Sequence, residues 1–366
     1  MRFEKIGEGF VRRNEAEEDG LVSAGPRSAL TRDGQLLCTY ALTKELGTND
    51  FVAVLSRSKD GGKTWAHEGP IWPHWRSQYS IAGSICASPA SELFFHAMRT
   101  PIDEPGESFW RDENSGMKQN DLVFTRSQDD GRTWEEPSVV PMHAPCSAEA
   151  PGAICITRKG NLLLPYAPYN SFDICDVKRN HVVVARSRDG GGSWTHTSML
   201  QFDEGSSGAE AWVVELADGR LLGTSWLASA DGKQDFPNAY ALSSDEGQTW
   251  CKTGSTGTMG QSTALTPLPD GRALFLYNDR KGDLPGVRMA VCRPTETDFG
   301  IEHDDLVWTA SRPTQSNSSR DHSEWTDFSF GEPSATVLTD GTVFVALWSL
   351  QPGAGGIPFV TLKLVS

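Results

Sequence analysis

The 366-residue sequence predicts an all-β fold, a six-bladed β-propeller of four-stranded antiparallel sheets in a single domain over residues 1–366. Three observations predict it. An octapeptide of the form Ser-x-Asp-x-Gly-x-Thr/Ser-Trp occurs four times, ending at Trp65, Trp134, Trp194 and Trp250. A tight-turn signal between two apolar runs occurs five times, at Asp33-Gly34, Gly160-Asn161, Asp218-Gly219, Asp270-Gly271 and Asp340-Gly341, with a weaker counterpart at Ala90-Ser91. The two marks keep phase, since 27 residues separate Asp33 from Asp60 and Asp218 from Asp245. Self-similarity of this kind is the mark of one supersecondary unit repeated, and six hairpin signals imply six sheets.

Each unit is read in the same order. The Asp-Gly turn joins its first and second strands, and the octapeptide joins its third and fourth. In the octapeptide, Ser and Asp side chains bond nearby backbone N–H groups, Gly permits a positive φ, and Trp anchors the turn on a sheet, so these Trp rings are expected to be largely buried. The aspartates Asp60, Asp129, Asp189 and Asp245 are 69, 60 and 56 residues apart, room for one unit each. Units five and six lack the octapeptide. Because the last unit runs out of chain, Phe3 to Val11 is expected to return as its outer strand.

Composition bounds the function. A formal net charge of -15 argues against nucleic acid and anionic membrane surfaces, both of which need a basic stripe, and neither partner is expected. No apolar run of about 18 residues or N-terminal leader pattern is present, and seven cysteines without paired spacing read as reduced, so a cytoplasmic location is expected. No dinucleotide, phosphate-loop or nucleophile-elbow motif occurs. His143-x-x-Cys146 and His303-Asp304-Asp305 lack a completing ligand at zinc spacing, so neither cofactor nor metal is expected.

Short turns occupy one face, and the long insertions 96–120, 166–181, 226–238 and 278–288 occupy the other, where function concentrates. The first strands begin on that long-loop face. Glu210 and Glu332 each stand nine residues before their turn glycine, Gly219 and Gly341, and Arg27 stands seven before Gly34, so all three should ring the axis. Glu149 sits at the corresponding opening of the third unit. Arg99, Arg280 and Arg288 lie in or beside the long loops, and with Arg27 and Glu149 they are candidates for substrate binding. A guanidinium forks onto a carboxylate, and two carboxylates flanking a glycosidic bond suffice for acid/base hydrolysis.

The four octapeptides, together with Glu210 in Glu-Ala-Trp-Val-Val-Glu-Leu-Ala-Asp-Gly-Arg-Leu-Leu, resemble the sialidase (neuraminidase) superfamily of six-bladed Asp-box, or BNR-repeat, propellers. The resemblance implies a triad of arginines for a substrate carboxylate, an Asp acid/base in the first unit and a Glu that activates a Tyr nucleophile. Arg27 matches the first arginine, Asp50, ten residues before Asp60, the acid/base, and Glu210 the activating glutamate. The chain departs at two places. Gly223-Thr224-Ser225-Trp226 stands where the second arginine would follow Glu210, and Glu332 stands where the tyrosine would open the sixth unit. Tyr277 is the next candidate for that tyrosine. Expected on this basis is a glycoside hydrolase acting on a small glycan, an acidic one among the candidates, through Asp50, Glu210 and Glu332, without true sialidase activity. The alternatives are a carbohydrate-binding propeller without catalysis and a lyase acting on uronic acids.

Overall fold

The computed structural model describes residues 2–14, 20–312 and 328–365. The first sheet runs Val22–Leu30, Leu36–Thr43, Val52–Ser58 and Ala66–Pro70 in chain order, and the Asp-Gly turn and octapeptide join the strand pairs assigned to them. The second sheet is Tyr79–Ala87, Leu93–Pro101, Asp121–Ser127 and Ser138–Val140. The fourth is Ser206–Glu215, Leu221–Ser229, Asp235–Ser243 and Gly254–Ser255, and the fifth Gln261–Pro267, Ala273–Asp279, Gly286–Cys292 and Ile301–Thr309. The last combines Phe330–Val337, Val343–Ser349 and Gly356–Val365 with Arg2–Arg13, which pairs antiparallel with Gly356–Val365 as the outer strand. First strands of successive sheets pack against one another from the third sheet to the last, that of the last meets that of the first and that of the first meets that of the second, while Ser84 Oγ of the second sheet donates to Pro151 O of the third unit (2.7 Å). The structure is a β-propeller whose ring closes through the N-terminal strand.

The third unit departs from the expected pattern. Its sheet has seven strands, so the regular four-stranded blades number five rather than six. Its inner strand is split into Ser147–Glu149 and Cys155–Ile156, both paired with Leu162–Ser171. Pro151 lies in the gap, and a proline cannot donate to a ladder. Two short strands from the 101–120 insertion, Trp110–Arg111 and Gly116–Met117, extend the sheet by a parallel pairing with Asn170 and Ser171.

Sheets covered on both faces carry strands without alternation. Leu36–Thr43, for example, is buried at all but one position. The octapeptides connect these sheets. In the first, Ser58 Oγ donates to Asp60 Oδ1 (2.8 Å), and the carboxylate accepts from Thr64 N (2.9 Å) and Thr64 Oγ1 (2.6 Å). These bonds hold the Asp60 carboxyl down at about 2, the hydroxyl of Thr64 contributing most. The glycine rests on the preceding blade. A Cβ at Gly62 would meet Phe344, at Gly131 Leu37, at Gly191 Phe124 and at Gly247 Leu163. The octapeptide is therefore a staple between blades, not only within a hairpin, and the four Trp rings are half-buried rather than fully buried because each lies over that seam.

All seven cysteines are free, and Cys175 is exposed. No helix among the described residues is long and apolar enough to cross a membrane.

Candidate active site

A cavity of about 280 Å³ opens at the axis on the long-loop face. Its floor follows from one sequence position. Gly25, Pro151, Glu210, Ser262 and Glu332 each stand nine residues before their turn glycine (Gly34, Gly160, Gly219, Gly271 and Gly341), Ala82 stands nine before Ser91, and all six line the cavity. In four sheets the ladder shifts register there, between Ala24 and Arg27, Ala209 and Trp212, Gln261 and Ala264, and Gly331 and Ser334. The first bulged residue takes a left-handed backbone: Gly25 at φ 62°, Glu210 at 51°, Ser262 at 58° and Glu332 at 44°. Bulges re-aim side chains, and left-handed non-glycine residues carry strain that the surrounding fold must impose. Gly25 leaves the room that Glu332 uses, since a Cβ there would lie 3.3 Å from Glu332 Oε2.

Glu210 is held from three sides. Its N–H donates to Glu149 Oε2 (2.8 Å), its carbonyl accepts from Thr263 Oγ1 (3.2 Å), and its Oε1 accepts from Ser262 Oγ (2.7 Å). Its Oε2 is buried with no hydrogen-bond partner among the described residues. Burial, reinforced by the charge on Glu332, pushes this carboxyl up to about 7. Burial and then Glu210 push Glu149 up to about 8. Near neutral pH the cavity therefore keeps protons on carboxyl groups that would be ionised in water.

The two guanidiniums at the wall are tied to the backbone. Arg27 donates through Nε to Pro151 O (3.0 Å) and through Nη1 to Pro26 O (2.8 Å) and Glu332 O (3.1 Å), with Trp212 5.3 Å from it. Arg280 donates through Nε (3.0 Å) and Nη2 (2.6 Å) to Phe330 O and through Nη1 to Gln261 Oε1 (2.8 Å). Burial lowers both, Arg280 to about 10.

Arg27, Glu149, Glu210, Arg280 and Glu332 thus come together, and Asp50, Arg99 and Arg288 do not line the wall. Asp50 accepts from Thr43 Oγ1 (2.5 Å), Thr48 Oγ1 (2.8 Å) and Lys44 N (3.4 Å), so it organises the loop whose Leu46, Gly47 and Phe51 face the cavity. Arg99 pairs with Asp121 at 2.7 Å and lies over Trp75 and Tyr79, a position set by the outward face of its strand. Arg288 donates to Asp304 Oδ1 and to Tyr277 OH, both at 3.1 Å, inside the fifth sheet. Tyr277 itself donates to Asp304 and is buried, so it does not supply the cavity with a phenol.

Tyr169 lines the cavity beside Trp110, under the Arg179 guanidinium at 4.3 Å, and burial raises its hydroxyl. Nothing in its local sequence distinguishes it, and it is set on the second strand of the third sheet by pairing with Ser147 of the split inner strand. Phe109, Trp110 and Met117 reach the wall from the 101–120 insertion, which Lys118 pins through Asp103 (2.7 Å) and Glu107 (2.6 Å). His143 is engaged with Tyr166, and His303 pairs with Asp305 at 2.6 Å.

The BNR repeat-like domain profile matches residues 105–345. A sialidase from Micromonospora viridifaciens is 25% identical over 281 residues, covering 70% of this chain and 40% of its own length. A sialidase from Bacteroides fragilis (strain YCH46) is 24% identical over 257 residues, covering 65% of this chain and 44% of its own, so the chain spans less than half the length of these relatives. Among solved structures, a protein of unknown function from Dyadobacter fermentans DSM 18053 superposes with a TM-score of 0.78 at 19% identity, covering 99% of both chains. The Hadza microbial sialidase Hz136 superposes at 0.67 and 19% identity, covering 98% of this chain and 68% of that one.

Proposed function

Since the chain belongs to the BNR repeat-like family of the sialidase superfamily, we propose that its axial cavity hydrolyses a glycosidic bond, with Glu210 as proton donor and Glu332 as the opposing carboxylate. The observation that carries this reading is Glu210 Oε2, a buried carboxyl oxygen without a hydrogen-bond partner among the described residues, in a group held up at about 7 beside a second glutamate on an equivalent bulge. In the first step the Glu210 proton passes to the glycosidic oxygen as the C–O bond breaks. Glu332 balances the charge that develops on the sugar carbon, and water then supplies hydroxyl to that carbon and a proton back to a carboxylate. Glu149 acts as a positioning residue. Its carboxyl accepts from the Glu210 N–H and so supports the left-handed backbone that aims the acid.

The test is turnover of a panel of aryl glycosides between pH 5 and 8. Glu210→Gln should lower kcat by roughly 10²–10⁴, the usual contribution of a positioned acid, with KM little changed. Asp50→Asn should retain turnover within about tenfold, because its carboxylate is committed to Thr43 and Thr48. Wild-type rates in the Glu210 variant would overturn the assignment. Loss of turnover in Asp50→Asn as deep as in Glu210→Gln would return the acid to Asp50.

A further inference from the structure

We infer, on the glycoside reading above, that His96 is a positioning residue for the axial acid, holding the backbone beside Glu149 and with it the carboxyl on which the Glu210 N–H rests. The need for such a residue arises in the third unit. In four sheets the residue nine before the turn glycine takes a left-handed backbone, but here Pro151 fills that place, and its ring fixes φ at about −65°. The ladder of the inner strand reaches Glu149 opposite Ala167 and resumes at Cys155 opposite Leu163, which leaves the backbone between them without ladder partners. The second sheet supplies partners instead. Ser84 and His96, which stand opposite each other in its register, donate through Ser84 Oγ to Pro151 O (2.7 Å) and through His96 Nε2 to Ala150 O (2.8 Å). Cys86 Sγ donates to Ile154 O (2.9 Å), and Ala150 N meets Met98 Sδ (3.3 Å). A buried carbonyl left without a donor is costly, so these contacts decide where the broken strand lies.

Among these contacts the His96 bond falls next to Glu149. The ring is fully buried, and because a carbonyl only accepts, Nε2 carries its proton. Nδ1 is buried without a hydrogen-bond partner among the described residues. Burial, with the Arg27 charge adding to it, lowers His96 to about 4, so the ring stays neutral across the range in which Glu149 and Glu210 change charge. One residue along the chain from Ala150, Glu149 Oε2 accepts from the Glu210 N–H (2.8 Å), at the bulge that turns Glu210 toward the axis. The other charged groups around the two carboxyls are Glu332, Arg27, Arg280 and Arg179, and of these Arg27 also holds the broken strand, through Nε to Pro151 O (3.0 Å). His96 thus reaches Glu210 through one backbone carbonyl and one carboxyl, without lining the cavity itself.

The experiment separates the donor from the ring. Counted from Cβ, the amide nitrogen of Gln falls where Nε2 of His does, and that of Asn falls where Nδ1 does, so His96→Gln keeps the bond to Ala150 O and His96→Asn loses it. On the aryl glycoside that the wild type turns over best, His96→Asn should lower kcat about 10–100-fold with KM within about twofold, as for a displaced acid. Its loss of rate at high pH should set in lower by about 1 in pH, because burial holds both carboxyls up and a loosened strand admits water. His96→Gln should stay within about fivefold of wild type in kcat and keep the wild-type pH profile. Equal rates in the two variants, whether both intact or both impaired, overturn the inference, as does a change confined to KM. Two further measurements need no turnover. The gain in unfolding midpoint that Glu210→Gln shows at about pH 8 over about pH 5 should shrink by at least about half in the His96→Asn background and persist in the His96→Gln background. Equal gains in both overturn the inference. In the otherwise unaltered protein, the His96 imidazole N–H resonance, assigned by its absence in His96→Gln, should move between about pH 7 and about pH 9 as Glu149 ionises, and should stay in place in Glu149→Gln. A resonance that does not respond to Glu149 overturns the inference whether or not the Asn variant folds. If the wild type turns over no glycoside, the hydrolytic reading falls, and the unfolding and resonance measurements still decide whether His96 holds Glu149 and Glu210 in place.

Discussion

Glu149 and Glu210 impose a pH dependence on stability opposite in sign to that of the octapeptide aspartates. In the unfolded chain these glutamates ionise near 4.5, whereas in the fold they keep their protons to about 8 and about 7. Between those limits the folded state binds more protons, so their contribution to stability falls as pH rises from about 4.5 to about 8. Asp60 and Asp189 are held at about 2 by Thr64 and Ser193, so their contribution is present above the unfolded value of 3.8 and is lost as pH falls toward 2. Thermal unfolding of wild type and Glu210→Gln at pH 5 and pH 8 measures the first effect. The variant's midpoint relative to wild type should be higher at pH 8 than at pH 5, because the amide has no proton to lose in the cavity. An equal difference at both values would mean that Glu210 is solvated.

At the scale of the element, the octapeptide and the bulge divide the labour. The octapeptide locks adjacent blades together, and the bulge turns one residue of a first strand toward the axis. Gly191 tests the lock. Its φ is 98°, and a Cβ there would lie 2.3 Å from the Phe124 ring. Gly191→Ala therefore combines backbone strain with a clash against the preceding blade and should cost about 2–4 kcal/mol. Trp194→Ala should cost about 2–3 kcal/mol, below the range for a fully buried ring, because Trp194 is half-buried while its Nε1 donates to Gly191 O at 3.2 Å. Denaturant unfolding measures both, and losses below about 1 kcal/mol would show that the seam between blades does not depend on this turn.

For the whole molecule, the seam between the last and first units decides whether the ring closes. Arg2–Arg13 is paired along its length with Gly356–Val365, and Val11 is buried in the cluster that contains Tyr40, Phe344 and Phe359. Removing residues 1–13 would expose the edge of Gly356–Val365 and one face of that cluster. The truncated chain should unfold at a lower denaturant midpoint and with lower cooperativity than the intact protein, since a propeller manages its edges by closing the ring. An unchanged midpoint would mean that the N-terminal strand decorates a ring already closed by packing alone.

Turn chemistry is local, and for that reason the sequence by itself determined the repeat, the all-β class, the order of strands within a unit and the return of the N-terminal strand. A Ser-x-Asp-x-Gly-x-Thr-Trp segment satisfies its own backbone within eight residues and needs no distant partner to be recognised. The count of nine residues back from a turn glycine located Glu210 and Glu332, and the same count applied to Gly25, Pro151 and Ser262 would have completed the floor of the cavity. Only the tertiary structure decided the rest, because it depended on which groups meet across blades. Asp50 became a loop anchor when Thr43 and Thr48 folded onto it, and Arg99 and Arg288 turned to partners on their own sheets. Tyr169 reached the wall from the second strand of the third sheet, and Trp110 from the strands added to that sheet. The raised carboxyls of Glu149 and Glu210 arise from mutual burial at the axis, where residues 61 positions apart in the chain lie within hydrogen-bonding distance.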